Sequence, residues 1–558
     1  MNAQSLVWYF NTVKYLKFKQ VIFRVYYLYG CFRVRCWISL LCLKKRGFKP
    51  ALEGTNWFSP AVMPSRLSES GEFLFQGESG ALTDPGIWNS PAYSKIWLYN
   101  IHYFDELNCI DAEKKQVIFK QYITSWIDNN PPAIGNGWEP YPLSLRIVNW
   151  IKWFRNSSVS PALSWETSLG MQAHVLMQCI EYHLLGNHIF ANGKALVFAG
   201  SYFSGKAADA WLKKGLRILD RQIKEQFLAD GGHFELSPMY HAILLWDMCD
   251  LVNLANLSKQ TSLLSRKEQW ESVIQRGLVW LTHMVHPDGN IAFFNDAAFE
   301  NAPTLKDLLL YAQLLKIVLP PQHNISLQLL ENTGYCVVNF ANNSKAILDV
   351  GNVGPDYQPG HAHADTLSFE LSLHGQRFLV NTGTSVYGNS PQRLYQRSTK
   401  AHNTVCIDDQ SSTEVWSGFR VAKRARPRDL SWRLDVGKVI IGCSHDGYLR
   451  LAGRNLHHRE WLFSENKITV RDVIIGRYFN AESRLHLHPA VNVMHHDGMM
   501  IVCSLPEGQT IKLQFYSASA VRVVPSTWHP SFGASVKNFC LIASFNKNEL
   551  ETCITWES

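Results

Sequence analysis

The chain has 558 residues, 54 Lys+Arg against 46 Asp+Glu and 46% hydrophobic residues, which suits a soluble globular protein of more than one domain and excludes disorder or a fibrous repeat. The formal charge of +8 points at first to a polyanion binder, but the opening fifty residues hold ten Lys+Arg and no Asp or Glu, which leaves the body at −2. The excess charge therefore belongs to an N-terminal arm, and with no recognised nucleic-acid motif a nucleic-acid partner is not expected.

That arm, residues 1–50, interleaves Trp8, Tyr9, Tyr15, Phe23 and Tyr27 with Lys14, Lys17, Lys19, Arg24 and Arg33. Its apolar runs are too short for a transmembrane segment, and it lacks the uninterrupted apolar stretch of an export signal. The preferred reading is a helix wrapped onto the body by its aromatic face; peripheral membrane contact is the alternative. Twelve Cys lie scattered from Cys31 to Cys553 without a CxxC pair, so most are expected to be reduced and buried.

From about residue 95 to 318 apolar residues recur at a helical period, as in Phe119, Tyr122, Ile123 and Trp126, then Trp211, Leu216, Leu219 and Ile223. An apolar helix is expected to end near Leu185, and another to run from Ala242 to Leu257. After about residue 330 the pattern becomes alternation: Leu367, Phe369, Leu371 and Leu373 point one way, and Ser368, Glu370 and Ser372 the other. Similar runs recur at 467–475, 484–488, 511–515 and 521–524. The α+β chain thus divides into the arm, a helical domain over 51–330 and an antiparallel β domain over 331–558, with a ligand cleft expected where the halves meet.

Four segments carry more polar residues than packing requires: Gly186 to Lys194, Asp230 to His241, Gly360 to Asp365 and Arg397 to Val405. Taken singly, Asn187 and Asn192 read as helix caps and Ser237-Pro238 as a helix start. His361-Ala362-His363 is harder to assign to packing, because on a strand the two imidazoles would share a face and reach one metal or one substrate.

Together with Asp288 to Asp296, Ala401-His402-Asn403-Thr404 and Arg484 to Pro489, these segments resemble the heparinase II/III family of polysaccharide lyases, in order over about residues 90 to 540. The resemblance implies an incomplete α/α toroid followed by an antiparallel β-sandwich, and β-elimination on an anionic uronate polysaccharide. It implies Asn187 as the main binder of the uronate carboxylate with His188 beside it, and Tyr240 and His361 as the joint base and acid. A phenol with its usual pKa near 10 needs help to act as a base and little to act as an acid. The resemblance also implies zinc on His363, His402 and the position of Asn381. Asn there is a poorer ligand than the usual Asp, so no cofactor is required and zinc is an option only.

Substrate contacts are expected from Lys194, Glu235, His241, Tyr387, Trp416 and Arg420, with Lys423, Arg424, Arg426 and Arg428 beside them; a solvated basic loop is the competing reading of that cluster. Two rival functions stand beside the lyase. A glycoside hydrolase would use Glu235 and Asp296 as its carboxylates, and a non-catalytic glycan-binding or surface-polysaccharide assembly protein would keep the scaffold alone. The resemblance implies the cell envelope or periplasm, while the missing signal and the cysteine usage leave the cytoplasm as the alternative.

Overall fold

The computed structural model describes residues 3–30, 48–50, 57–156, 160–321 and 325–557. Residues 31–47 of the expected arm, with Cys31, Cys36 and Cys42, lie outside the described residues. The other nine cysteines are all buried, as expected.

Two short helices, α1 (Ala3–Val13) and α2 (Phe18–Leu28), and the strand Lys49–Pro50, which pairs with Phe203–Ser204, form the described part of the arm. The helical half follows, with α3 (Lys95–Tyr103), α4 (Gln116–Asn129), α5 (Pro140–Asn156), α6 (Leu163–Gln178), α7 (Gly186–Tyr202), α8 (Lys206–Gln226), α9 (Pro238–Ser258), α10 (Thr261–His283) and α11 (Leu305–Leu314). Successive helices pack on one another as an incomplete α/α toroid. Helix α7 is buried all round except at His188, because its sequence is largely apolar or small and its buried Asn192 and Lys194 are paired with Ser144, Glu181, Asp247 and Asp250. It lies close against α8: a Cβ on Gly215 would stand 2.7 Å from the Gly193 carbonyl oxygen. The apolar helix expected to end near Leu185 stops at Gln178, and a turn carries the chain to α7. Helix α9 begins earlier than Ala242, since Ser237 caps it by accepting from the Tyr240 backbone N–H and Pro238 occupies its first turn.

The β half holds antiparallel sheets of five, eight and four strands. The first strand, Leu327–Leu330, lies before the expected break at residue 331, being too short for its alternation to stand out. In the eight-stranded sheet Leu456–Ser464 pairs with Lys467–Ile475, Trp461 opposite Val470, and buried residues alternate along both. One apolar core joins all three sheets through Phe369, Trp461, Leu485, Leu541 and Ile554. The other core runs from the helices into Tyr335, Val337, Ile347 and Trp528, so the two halves are fused along an apolar seam.

Phe369–Leu373 is buried on both faces. Its expected polar face meets the helical half, where Glu370 accepts from His286 Nε2 (3.0 Å) and from the backbone N–H groups of Phe293 (3.1 Å) and Asn381 (2.7 Å). A buried carboxylate with these donors pins the segment Ile291 to Asp296 to the sheet, and the candidate site grows from that junction. The arm lies across both halves: α1 rests on the hairpin of Val415–Trp416 and Arg420–Val421, and α2 rests on Tyr182, His183 and Tyr357.

Candidate active site

Asp296 is the organising residue. Asn295, in the left-handed region at φ 58 that Asn tolerates better than most residues, is held on both sides. Its side chain donates to the Leu236 carbonyl (2.9 Å) and accepts from the His363 backbone (3.0 Å), while its own backbone N–H donates to Asp365 (3.1 Å). The Asp296 carboxylate then accepts from Arg393 Nη1 and Nη2 (the latter at 2.7 Å), His361 Nδ1 (2.9 Å), His363 Nε2 (2.9 Å) and Thr384 Oγ1 (3.3 Å). Burial alone would raise its pKa, but Arg393 and the two histidines hold it well below the usual carboxylate range.

His361 and His363 do not lie on a strand. They sit in an irregular segment before Phe369–Leu373, and what they share is the Asp296 carboxylate. His361 is oriented with Nδ1 on Asp296, leaving Nε2 3.8 Å from Glu235 Oε2. Its ring lies 3.9 Å from that of Tyr240, whose hydroxyl is 2.9 Å from that of Tyr387. Burial, followed by Tyr387 and Asp296, pushes the Tyr240 phenol well above its ordinary pKa. Tyr240 and His361 retain 8% and 9% exposure, so the pair is almost shut off from bulk water.

The second wall is the first turn of α7. Gly186 adopts φ 57, and a Cβ there would stand 2.3 Å from Glu235 Oε1, so only glycine lets the helix start this close to that carboxylate. Glu235 therefore bridges the walls, with α7 on one side and His361 on the other. Its oxygens make no side-chain hydrogen bond, and burial raises its pKa against the pull of His361, His188 and the Asn187 backbone N–H. Asn187 is buried with its Oδ1 unpartnered. His188 stays partly open, its ring 4.5 Å from Tyr141 and its Nδ1 3.2 Å from Glu181. Burial works against its charge, but Glu181 prevails and raises its pKa. Asn192 fixes Glu181, accepting from its backbone N–H (2.8 Å) and donating to its carboxylate (3.1 Å).

The expected residues divide accordingly. Asn187, His188, Glu235, Tyr240, His361 and Tyr387 gather at the junction. Lys194 does not offer its charge to a ligand: its buried ammonium is bound by Asp247 (2.5 Å) and Asp250 (2.6 Å). His241 faces α10, hydrogen bonding the Gly277 carbonyl (2.9 Å) in a buried position that lowers its pKa to about 4. Trp416 and Arg420 are taken up by the arm, for Trp416 donates to Thr12 (3.1 Å) and Arg420 stacks over Tyr9 and Trp416. Arg424 and Arg426 pair with Asp356, and Arg428 pairs with Asp446. Sequence reasoning missed Glu181 and the role of Arg393, which no local pattern marks. Phe419 was also missed; it sits 6.3 Å from the His361 ring at the tip of the hairpin that the arm grips.

Zinc does not fit these residues. His363 and His402 lie 5.2 Å apart by ring centroids; His363 Nε2 is held by Asp296 and its Nδ1 is unpartnered. The Asn381 amide, however, is committed to the backbone, donating to the Phe293 carbonyl (2.9 Å) and accepting from the Asn403 N–H (3.2 Å). An Asp there could not make the first of these bonds. Among the described residues no three His, Cys, Asp or Glu side chains converge as a metal site.

A toroid fused to an antiparallel β-sandwich, with a Tyr/His pair facing amide and imidazole donors at the seam, defines the class. Comparison with known proteins gives the family. The heparinase II/III N-terminal model matches residues 108–324 and the heparinase II/III-like C-terminal model residues 323–557; the chain belongs to the heparinase II/III family. It is 23% identical over 409 residues to a heparin-sulfate lyase of Bacteroides stercoris, covering 68% of this chain and 58% of that protein. It is 25% identical over 389 residues to a heparin-sulfate lyase of Pedobacter heparinus, covering 63% and 55%. The chain thus spans little more than half the length of these curated relatives. Among solved structures, a heparinase III matches with a TM-score of 0.71 at 18% identity over 96% of this chain and 91% of that one. A heparan sulfate lyase from Pedobacter heparinus matches with 0.59 at 17% identity over 94% and 88%.

Proposed function

We propose that the chain is a polysaccharide lyase that breaks a uronate-containing anionic glycan, such as a surface polysaccharide of the cell envelope, by β-elimination to leave a 4,5-unsaturated uronate. The single observation that carries this is the Tyr240/His361 pair, oriented by Asp296 and placed beside Glu235 and the start of α7.

The difficult step is loss of the C5 proton next to an ionised carboxylate. Donors that neutralise that carboxylate favour the enolate-like transition state over the ground state. The Asn187 amide and His188, whose charged form Glu181 favours, supply them. With Asp296 holding Nδ1–H, the neutral His361 imidazole carries its lone pair on Nε2, the tautomer needed in a base. Tyr240, kept as a phenol, is suited to give its proton to the C4 oxygen as the C4–O bond breaks. The C5 proton is then on His361 and the Tyr240 proton on the departing C4 hydroxyl, so the cycle closes when the His361 proton passes, directly or through solvent, to the Tyr240 phenolate, whose oxygen the Tyr387 hydroxyl holds by a hydrogen bond meanwhile. No step runs through a metal.

Hydrolysis by two carboxyl groups is disfavoured, because Asp296 is saturated by Arg393, His361 and His363, leaving Glu235 alone. Digestion of a panel of uronate polysaccharides tests the proposal. Absorbance near about 230 nm should rise as the conjugated C4=C5 product forms, and mass spectrometry should find products that together weigh the same as the substrate. Products heavier by one water would establish hydrolysis instead, and binding without turnover across the panel would leave a glycan-binding protein.

A further inference from the structure

The largest departure from ordinary surface chemistry is the outer face of the arm. Helix α2 uses one face for docking: Gln20 donates to the Tyr357 carbonyl (3.1 Å), Phe23 packs on Tyr182 (4.8 Å) and Tyr27 on His183 (4.1 Å). The opposite face, Phe18, Val21, Ile22, Val25 and Leu28, recurs at helical spacing and lies open to solvent, with Phe18 80% and Leu28 82% exposed. Helix α1 repeats the arrangement. Trp8 and Thr12 turn to the Trp416 hairpin, while Leu6, Phe10 and Val13 point away, Phe10 at 68% exposure. Monomeric proteins rarely leave so many large apolar side chains contiguous and uncovered.

What covers them is indicated by charge. By helical position Lys19 and Arg24 stand at the two edges of the α2 stripe and Lys14 borders that of α1; all three are exposed, the Lys19 ammonium lying 3.5 Å over the Tyr182 ring and Lys14 bonding Asn11 (2.9 Å). The first fifty residues contain ten Lys+Arg and no acid, against a body of −2. An apolar face bordered by cations suits the headgroup boundary of an anionic bilayer, where aliphatic side chains enter the acyl region and Lys and Arg meet phosphate. Among the described residues no helix is long and apolar enough to cross a membrane, so the contact lies along the surface. We propose that α1 and α2 form a peripheral anchor that seats the protein on an anionic phospholipid surface. Their inner faces grip the two halves of the enzyme, so the anchor also fixes the orientation of the cleft to the bilayer.

Flotation of the full chain with phosphatidylcholine vesicles containing phosphatidylglycerol, beside vesicles of phosphatidylcholine alone, tests the proposal. The protein should partition at least about tenfold more strongly into the anionic vesicles, and added salt should reduce the difference. Phe10→Glu with Ile22→Glu, both at solvent-facing positions, should lower that partitioning about tenfold or more while the melting temperature and turnover of soluble glycan stay unchanged. Failure of the wild type to float, or equal flotation of the variant, would overturn the proposal. So would a dimer in sedimentation velocity that the double variant converts to monomer, since a second copy would then be the cover.

Discussion

Replacing Asp296 by Asn keeps the shape of the side chain and removes the charge on which the site is built. The carboxylate receives five hydrogen bonds, two from Arg393 and one each from His361, His363 and Thr384, whereas an amide offers one oxygen and turns two N–H donors toward groups that are themselves donors. Arg393 is fully buried; besides Asp296 it has the Gly418 carbonyl (3.1 Å) and the Tyr387 ring, neither of which is an anion. Leaving a buried guanidinium uncompensated costs about 3–5 kcal/mol, so the melting temperature should fall. His361 also loses the acceptor that keeps its proton on Nδ1, and kcat should fall by about 10²–10⁴ with KM little changed, the range for loss of a working general base. Because the folded pKa of Asp296 is depressed, its stabilising contribution is complete above the ordinary carboxylate pKa of about 3.9 and is lost as pH falls through the folded value. The gap in melting temperature between wild type and variant should therefore be flat from about pH 5 to 8 and close only in acid. Adding Arg393→Met removes the orphaned charge and should recover part of the stability without recovering kcat. The reasoning is refuted if Asp296→Asn melts and turns over like wild type, or if the double variant regains both properties together.

Tyr240→Phe removes the proton donor and should cost about 10²–10⁴ in kcat on the natural glycan, with much less loss on a synthetic uronide whose leaving group needs no proton; equal losses on both would show that Tyr240 is not the acid. Glu181 holds the His188 pKa up, so His188 stays charged below its raised pKa and loses its charge as pH rises through it. KM should climb along that limb, and Glu181→Gln should move the climb to lower pH; an unmoved KM profile would remove His188 from carboxylate binding. Lys194→Met strands Asp247 in a buried site and should destabilise the fold by about 3–5 kcal/mol while leaving KM unchanged, and a raised KM without destabilisation would return Lys194 to the substrate.

The two halves, and the segments that bring Asn187, Tyr240 and His361 to one junction, were legible because each depends on local pattern. Periodicity separates helices from strands, and the motifs around Asn187, Tyr240 and His361 mark positions where backbone geometry and side-chain type coincide. Direction along and around a helix was less legible. Lys194 follows Asn187 by seven residues, on the same face of α7 but about 10 Å further along the axis, deep enough to meet Asp247 and Asp250. His241 is adjacent to Tyr240 but turned about 100° around α9, toward Gly277. Long-range partners were not legible at all: nothing near Asp296 in sequence announces Arg393, and nothing near Trp416 announces Thr12, 404 residues earlier. Asn381 reads as a weakened metal ligand, yet its donor and acceptor each hold a backbone group, a role that depends wholly on tertiary neighbours.

The two carboxyl groups beside His361 bear on how so enclosed a site would admit the anionic glycan proposed above. Asp296 and Glu235 approach opposite nitrogens of one imidazole, and their surroundings push their protonation apart. Asp296 has a guanidinium and stays ionised. Glu235 has no guanidinium beside it, and burial raises its pKa. The two pushes therefore act in opposite directions on the two sides of His361: Asp296 is paired with Arg393 and fixes Nδ1, while Glu235 Oε2 stands 3.8 Å from Nε2. On the proposed reading, an incoming uronate meets the Asn187 amide and His188 beside a carboxyl whose charged form burial disfavours, so its attraction does not depend on the net charge of the body.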